Sequence, residues 1–190
     1  MRSFEVRELG LVPYARAWEL QRELERRRKA GEIPDQFLLL EHPHVLTLGR
    51  NGRPEHLLVS RQRLAELGIE YYEIDRGGDI TYHGPGQIVG YPILDLREWK
   101  RDVLAYVRGI EETIIRALAR FGIESWREPG ATGVWTRAGK ICAIGVHISR
   151  WVTTHGFALN WTTDLNYYQY IVPCGLPRPV TSMEALGARP

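Results

Sequence analysis

Two residue types are scarce in this chain, and their scarcity marks candidates for chemistry. It holds two cysteines, Cys142 and Cys174, and three lysines, Lys29, Lys100 and Lys140, against 22 arginines. Arginine stays charged, whereas burial can bring a lysine amine into the titrating range. Lys140 opens a glycine-flanked strand pattern, Gly139-Lys140-Ile141-Cys142-Ala143-Ile144-Gly145. Lys29 lies in a charged helical run and Lys100 at a helix start. Cys174 sits between Pro173 and Gly175, where irregular backbone can present a nucleophile. A thiol with an amine base is the equipment of covalent catalysis. Taken alone, the two residues favour the plainer reading, a surface lysine and a core cysteine. Cys142 is the rival thiol. On a regular strand it shares a face with Lys140, but Ile141, Ala143 and Ile144 around it mark a small core residue.

The second concentration of polar groups is Arg76-Gly77-Gly78-Asp79-Ile80-Thr81-Tyr82-His83-Gly84-Pro85-Gly86-Gln87. Glycine lets a ligand approach the main chain closely. Arg76, Asp79, Thr81, His83 and Gln87 among the glycines favour a site over a plain hairpin. No Gly-x4-Gly-Lys-Ser/Thr phosphate loop occurs, and Gly84, Gly86 and Gly90 miss the dinucleotide spacing by one residue. No cofactor is therefore expected. Glu41-His42-Pro43-His44 reads as a solvent-exposed turn, not a metal site, because Pro43 breaks the regular spacing.

A third feature is a pair of small-residue strand faces. Gly156 and Ala158 share one face in Thr154-His155-Gly156-Phe157-Ala158-Leu159-Asn160, and Ala143 and Gly145 repeat the pattern in the preceding strand. His155 alone reads as a structural histidine. Two such faces beside a glycine-rich loop predict a narrow apolar slot, such as an alkyl tunnel. Each buried CH₂ contributes roughly 0.8 kcal/mol there. Gly156→Leu or Ala158→Phe should block it.

The elements that must hold these residues follow from periodicity. Pro13 and Gly31 bracket a helix over 13–30. Residues 37–40 and 45–48 read as strands around a Pro43 turn, 60–67 as a short helix and 71–74 as a strand. Asp102 caps a helix whose Val103, Val107, Ile110, Ile114, Leu118 and Phe121 fall on one face, closed by Gly122. Residues 133–136 and 140–148 form a hairpin, 155–161 a further strand and 165–170 a short helix. The fold expected is a single α+β domain over 1–190, a mixed, largely antiparallel sheet flanked by helices. Net charge is +2 and no apolar run is long enough for a membrane span. Neither nucleic acid nor membrane is expected as a partner. The N-terminal residues show no signal core and the cysteines no disulfide framework, which points to a cytoplasmic protein.

Four ordered blocks carry a resemblance. The Arg76–Gln87 segment, Gly139–Gly145, Thr154–Asn160 and Ile171-Val172-Pro173-Cys174-Gly175 resemble the signature segments of the lipoate-biosynthesis octanoyltransferases, and Val180-Thr181-Ser182-Met183 resembles their last motif. The match runs from about Glu41 to the end. Cys142 departs from the pattern, which has alanine there, and puts a second thiol near the site. The resemblance implies a fold like the catalytic domains of biotin and lipoate protein ligases. It implies octanoyl transfer from octanoyl-acyl carrier protein to a lysine of lipoyl domains, those of 2-oxoacid dehydrogenase complexes and the glycine cleavage system. It assigns Cys174 as the acyl-bearing nucleophile and Lys140 as its activator. It places Arg76, Gly77, Gly78, Asp79, Ile80, Thr81, Tyr82, His83, Ala143, Ile144, Gly145, Gly156, Phe157 and Ala158 at the substrate. Two alternatives stand beside it: an ATP-dependent lipoate ligase, and a non-catalytic binder of lipoyl domains or acyl carriers. ATP-free acyl transfer separates the three.

Overall fold

The computed structural model describes residues 4–173 and 178–188, and in it two sheets carry the molecule. The larger sheet has the order β1 (Phe4–Leu11), β2 (Asp35–Glu41), β6 (Gln87–Ile93), β10 (Val152–Asn160), β9 (Gly139–Ser149), β8 (Ala131–Thr136), β7 (Trp126–Glu128). The smaller has β4 (Glu70–Glu73), β3 (Val45–Leu48) and β5 (Ile80–His83) in that order. The pairs β1–β2 and β3–β4 are parallel, and the other described pairs are antiparallel. This is the mixed, largely antiparallel α+β architecture that the sequence predicts.

The helices cover opposite faces of the large sheet. α1 (Tyr14–Lys29) starts after Pro13, whose φ of −53° suits entry into a helix. Its Ala17 and Leu24 pack against Leu38, Leu40, Val89, Tyr91 and Ala158. The short α2 (Arg61–Glu66) is capped by Ser60, whose hydroxyl accepts from the Arg63 N–H. α3 (Val103–Ala119) is capped by Asp102, which accepts from the Ala105 N–H at 2.9 Å. Its Ile114 and Leu118 pack with Val134, Ile141, Cys142 and Leu159 on the other face. The stripe is shorter than the periodicity predicts. Val103 and Phe121 share its azimuth but are exposed, because they sit at the two ends of the helical segment. Tyr106 and Glu111 are buried instead.

One strand is not expected from the sequence, and one expectation is corrected. β1 carries no clear strand signal, since it is an edge strand with mostly exposed residues and charges at Glu5, Arg7 and Glu8. His42 is not in an exposed turn. It is fully buried, with Nδ1 2.7 Å from the Val12 carbonyl and Nε2 2.7 Å from the Tyr91 hydroxyl. A carbonyl only accepts, so Nδ1 carries the proton and Nε2 accepts from Tyr91. No described helix is long and apolar enough to cross a membrane.

Candidate functional site

The pairing of β9 with β10 brings the two small-residue faces together. Ala143 lies opposite Ala158 and Gly145 opposite Gly156. The four form one patch on the α1 side of the sheet. Above it runs the Arg76–Asp79 loop, tied down where the Gly77 N–H donates to the Val146 carbonyl at 2.9 Å. Between them is a cavity of about 290 Å³, near the lower end of the ~300–1,000 Å³ typical of small-molecule sites. Arg76, Gly78, Asp79, Thr81, His83, Lys140, Ala143, Ile144, Gly145, Gly156, Phe157 and Ala158 all border it.

Strand alternation decides which loop and strand residues face this space. On β5, Thr81 and His83 line the cavity. Ile80 and Tyr82 point the other way, into a core with Leu46, Leu48 and Tyr168. Gly77 does not line the cavity either; its contribution is the tether to β9. Ile144 and Phe157, though at the border, pack on the α3 side beside Leu96, Tyr106 and Ile110. The cavity is less apolar than the predicted slot. Its floor is apolar, but its roof carries Arg76, whose Nη2 donates to the Thr47 carbonyl at 2.7 Å and to its hydroxyl at 2.9 Å.

Lys140 and Cys142 do not share a face. Trp135 pairs with Lys140 but Val134 pairs with Cys142, so two residues of β9 advance against one of β8. This bulge turns Lys140 toward the cavity and Cys142 into the core with Ile114, Leu118 and Met183. Burial pushes the Cys142 thiol up to about 12, which leaves it a poor nucleophile at neutral pH. Lys140 is itself buried and lies 5.4 Å from the centre of the Trp135 ring. Gly133 makes room for it: a Cβ there would stand 2.5 Å from Lys140 Cε.

Cys174 lies outside the described residues. The chain on either side of it is anchored near Lys140. Pro173 and Val180 border a small cavity together with Lys140, Thr81 and Ala143. Before the segment, the Val172 N–H donates to the His56 carbonyl at 2.8 Å, and the His56 ring pairs with Asp79 of the loop. After it, Lys140 exchanges backbone hydrogen bonds of 3.0 Å with Pro179 and Thr181, and Asn160 donates to the Thr181 carbonyl at 3.0 Å.

Sequence reasoning missed part of the wall. Tyr14, Tyr91, His155 and residues 130–132, where the β7–β8 turn enters β8, also line the cavity. In the sequence Tyr14 reads as an extra aromatic beside the narrow apolar stripe of Ala17, Leu20 and Leu24 on the helix over 13–30. His155 adopts φ +56° in a strand and reaches Asp75 through Nε2 at 2.9 Å, a pairing no local pattern signals. The hydrogen bond from His155 holds the Asp75 carboxyl well below its ordinary value. Burial lowers the His155 imidazole, lowers His42 to about 4 and lowers His83 far below its usual range. All three are neutral at pH 7. Gly156 is also more than an open wall. A Cβ there would stand 2.2 Å from the Gly90 carbonyl oxygen, so Gly156→Leu would break the β6–β10 pairing and is no clean test of the slot.

Residues 13–190 match the model of the lipoyl protein ligase A/B catalytic domain. The chain belongs to that family. It is 61% identical to an octanoyltransferase of Solibacter usitatus, across 100% of this chain and 86% of that one. It is 54% identical to an octanoyltransferase of Rubrobacter xylanophilus, across 96% and 83%. Among solved structures, a lipoate protein ligase of T. acidophilum with bound lipoic acid superposes with a TM-score of 0.80 at 14% identity, covering 100% of this chain and 79% of that one. A lipoate-protein ligase A bound with ATP gives 0.72 at 12% identity, covering 100% and 78%. At such identities the structures show a shared fold, and the family's fold is the one predicted.

Proposed function

We propose that this protein is an acyltransferase of protein lipoylation, moving an octanoyl group onto a lysine of a lipoyl domain through a thioester on Cys174. The observation that carries the reading is the placement of Lys140. It is the one lysine that borders the slot floored by Ala143, Gly145, Gly156 and Ala158. The octanoyltransferases at 61% and 54% identity support it, as does the anchoring of both flanks of Cys174 beside Lys140.

In the first half-reaction Lys140 takes the Cys174 thiol proton. The thiolate attacks the octanoyl thioester of an acyl carrier protein. The C–S bond to the carrier breaks, and the carrier sulfur leaves with the proton returned by Lys140. In the second, the lipoyl-domain amine attacks the Cys174 thioester and forms an amide. Lys140 accepts the amine's proton and passes it to the departing Cys174 sulfur. Exchange between thioesters is nearly balanced and thioester to amide is downhill, so no ATP is consumed. The acceptors proposed are the lipoyl domains of 2-oxoacid dehydrogenase complexes and of the glycine cleavage system. The whole reaction would run in the cytoplasm with one catalytic domain over 1–190. Incubation with octanoyl-acyl carrier protein and a lipoyl domain tests this. Octanoyl-lysine formed without ATP is expected; a strict ATP requirement would make the protein a ligase, and no transfer in either case would make it a binder.

A further inference from the structure

We infer that Tyr14 sets the acyl-chain length, by ending the slot in a phenol that an alkyl chain cannot pair with. The inference rests on the octanoyl-transfer reading and adds the residue that limits the chain. The slot has a direction fixed by register. Lys140 stands at the start of β9, and the floor then runs through Ala143 to Gly145, whose neighbour Val146 pairs with His155 on β10. From Ala143 to Gly145 is two residues, roughly 7 Å at ~3.3 Å each, and Lys140 lies beyond Ala143, which together is the scale of a medium acyl chain. At the His155 end stand Tyr91, T-shaped on His155 at 6.2 Å, and Tyr14.

Tyr14 is 1% exposed and borders the cavity. Its ring is clamped by His42 at 5.1 Å, Tyr72 at 5.3 Å and His83 at 6.1 Å. Several neighbouring polar groups are paired. The Tyr91 hydroxyl donates to His42, and His155 pairs with Asp75. The Gln87 amide nitrogen donates elsewhere, so its oxygen accepts from His83 Nδ1 at 2.8 Å. The Tyr14 hydroxyl has no hydrogen-bond partner among the described residues, and neither has His83 Nε2, which is left an acceptor. Neither atom is among the fully buried ones that lack a partner, so water in the cavity can reach both when no chain is bound. A chain that stops short leaves them solvated, and a longer one covers them without replacing their hydrogen bonds. That penalty opposes the gain from each added CH₂.

The test is a competition among acyl carrier protein donors of six to twelve carbons, read by mass on a lipoyl domain without ATP. Tyr14→Phe keeps the ring and its packing. It should raise the decanoyl-to-octanoyl transfer ratio about tenfold at an unchanged unfolding temperature. Tyr14→Trp should move the optimum to hexanoyl. On the unaltered protein, a donor whose eight-carbon chain ends in a hydroxyl should outcompete nonanoyl, a chain of similar length. A Tyr14→Phe ratio within twofold of wild type, or nonanoyl ahead of the hydroxylated chain, would overturn the role of Tyr14. Failure of the unaltered protein to transfer any chain would overturn the octanoyl-transfer reading instead.

Discussion

The two faces of β9 and β10 are built to opposite rules. Toward α3, Cys142, Ile144, Phe157 and Leu159 fill the space with side chains. Toward α1, Ala143, Gly145, Gly156 and Ala158 border a cavity that Lys140 also lines. One bulge opposite Val134 and Trp135 separates a buried thiol from a cavity-lining amine two residues away. On the proposed reading, chemistry sits where side-chain volume is withheld, and the filled face holds the strands to the register that withholds it. Burial of a titratable group is therefore not enough to mark a site; what matters is whether it borders space a substrate can enter.

The comparison can be broken from the open face first. Lys140→Arg keeps the charge but gives up the proton-transfer role, and should lower octanoyl transfer by about 10²–10⁴-fold. Near wild-type single-turnover rates would refute that role. Ala158→Phe fills the floor and should lower kcat/KM for octanoyl transfer on the order of 10²-fold, and by overpacking the contact with Ala17 and Leu24 it should also cost about 1–3 kcal/mol of stability. A full-rate variant would place the chain elsewhere.

The histidines behind the open face give a pH test. His42, His83 and His155 have folded values below the ordinary 6.5. The unfolded chain therefore binds protons first as pH falls, and stability is complete above about 6.5 and lost toward 4. For His42 the drop from 6.5 to about 4 corresponds to about 3 kcal/mol at 1.36 kcal/mol per unit. Asp75, held low, loses its own contribution in the same direction. Urea unfolding at pH 7 and pH 4.5 should show this fall, and His42→Gln should flatten it. The smallest effect belongs to the filled face. Cys142→Ala should cost about 1 kcal/mol by leaving a small void and leave transfer within twofold of wild type. A large loss of activity there would return Cys142 to the mechanism.

Much of this was legible in the sequence because it is local. The capped helices, the β8–β9 hairpin and the alternating small residues all announce themselves within a dozen residues. The position of Lys140 is legible from its glycine neighbours and the Lys-for-Arg exception. The facing of Lys140 and Cys142 was not, since a bulge is set by the partner strand and has no signal in β9 itself. The burial of His42 depends on Tyr91 and Val12, distant in sequence, and its Pro-flanked context mimics an exposed turn. Tyr14 was hidden for the same reason: a helical tyrosine beside a core stripe looks like packing until β5 and β6 are brought against it.

The most direct test is intact-protein and peptide mass spectrometry after mixing with octanoyl-acyl carrier protein, without ATP. The account predicts one hydroxylamine-sensitive octanoyl adduct, on Cys174, in wild type and in Cys142→Ala. An adduct on Cys142, or ATP-free transfer with no adduct on Cys174, would contradict it.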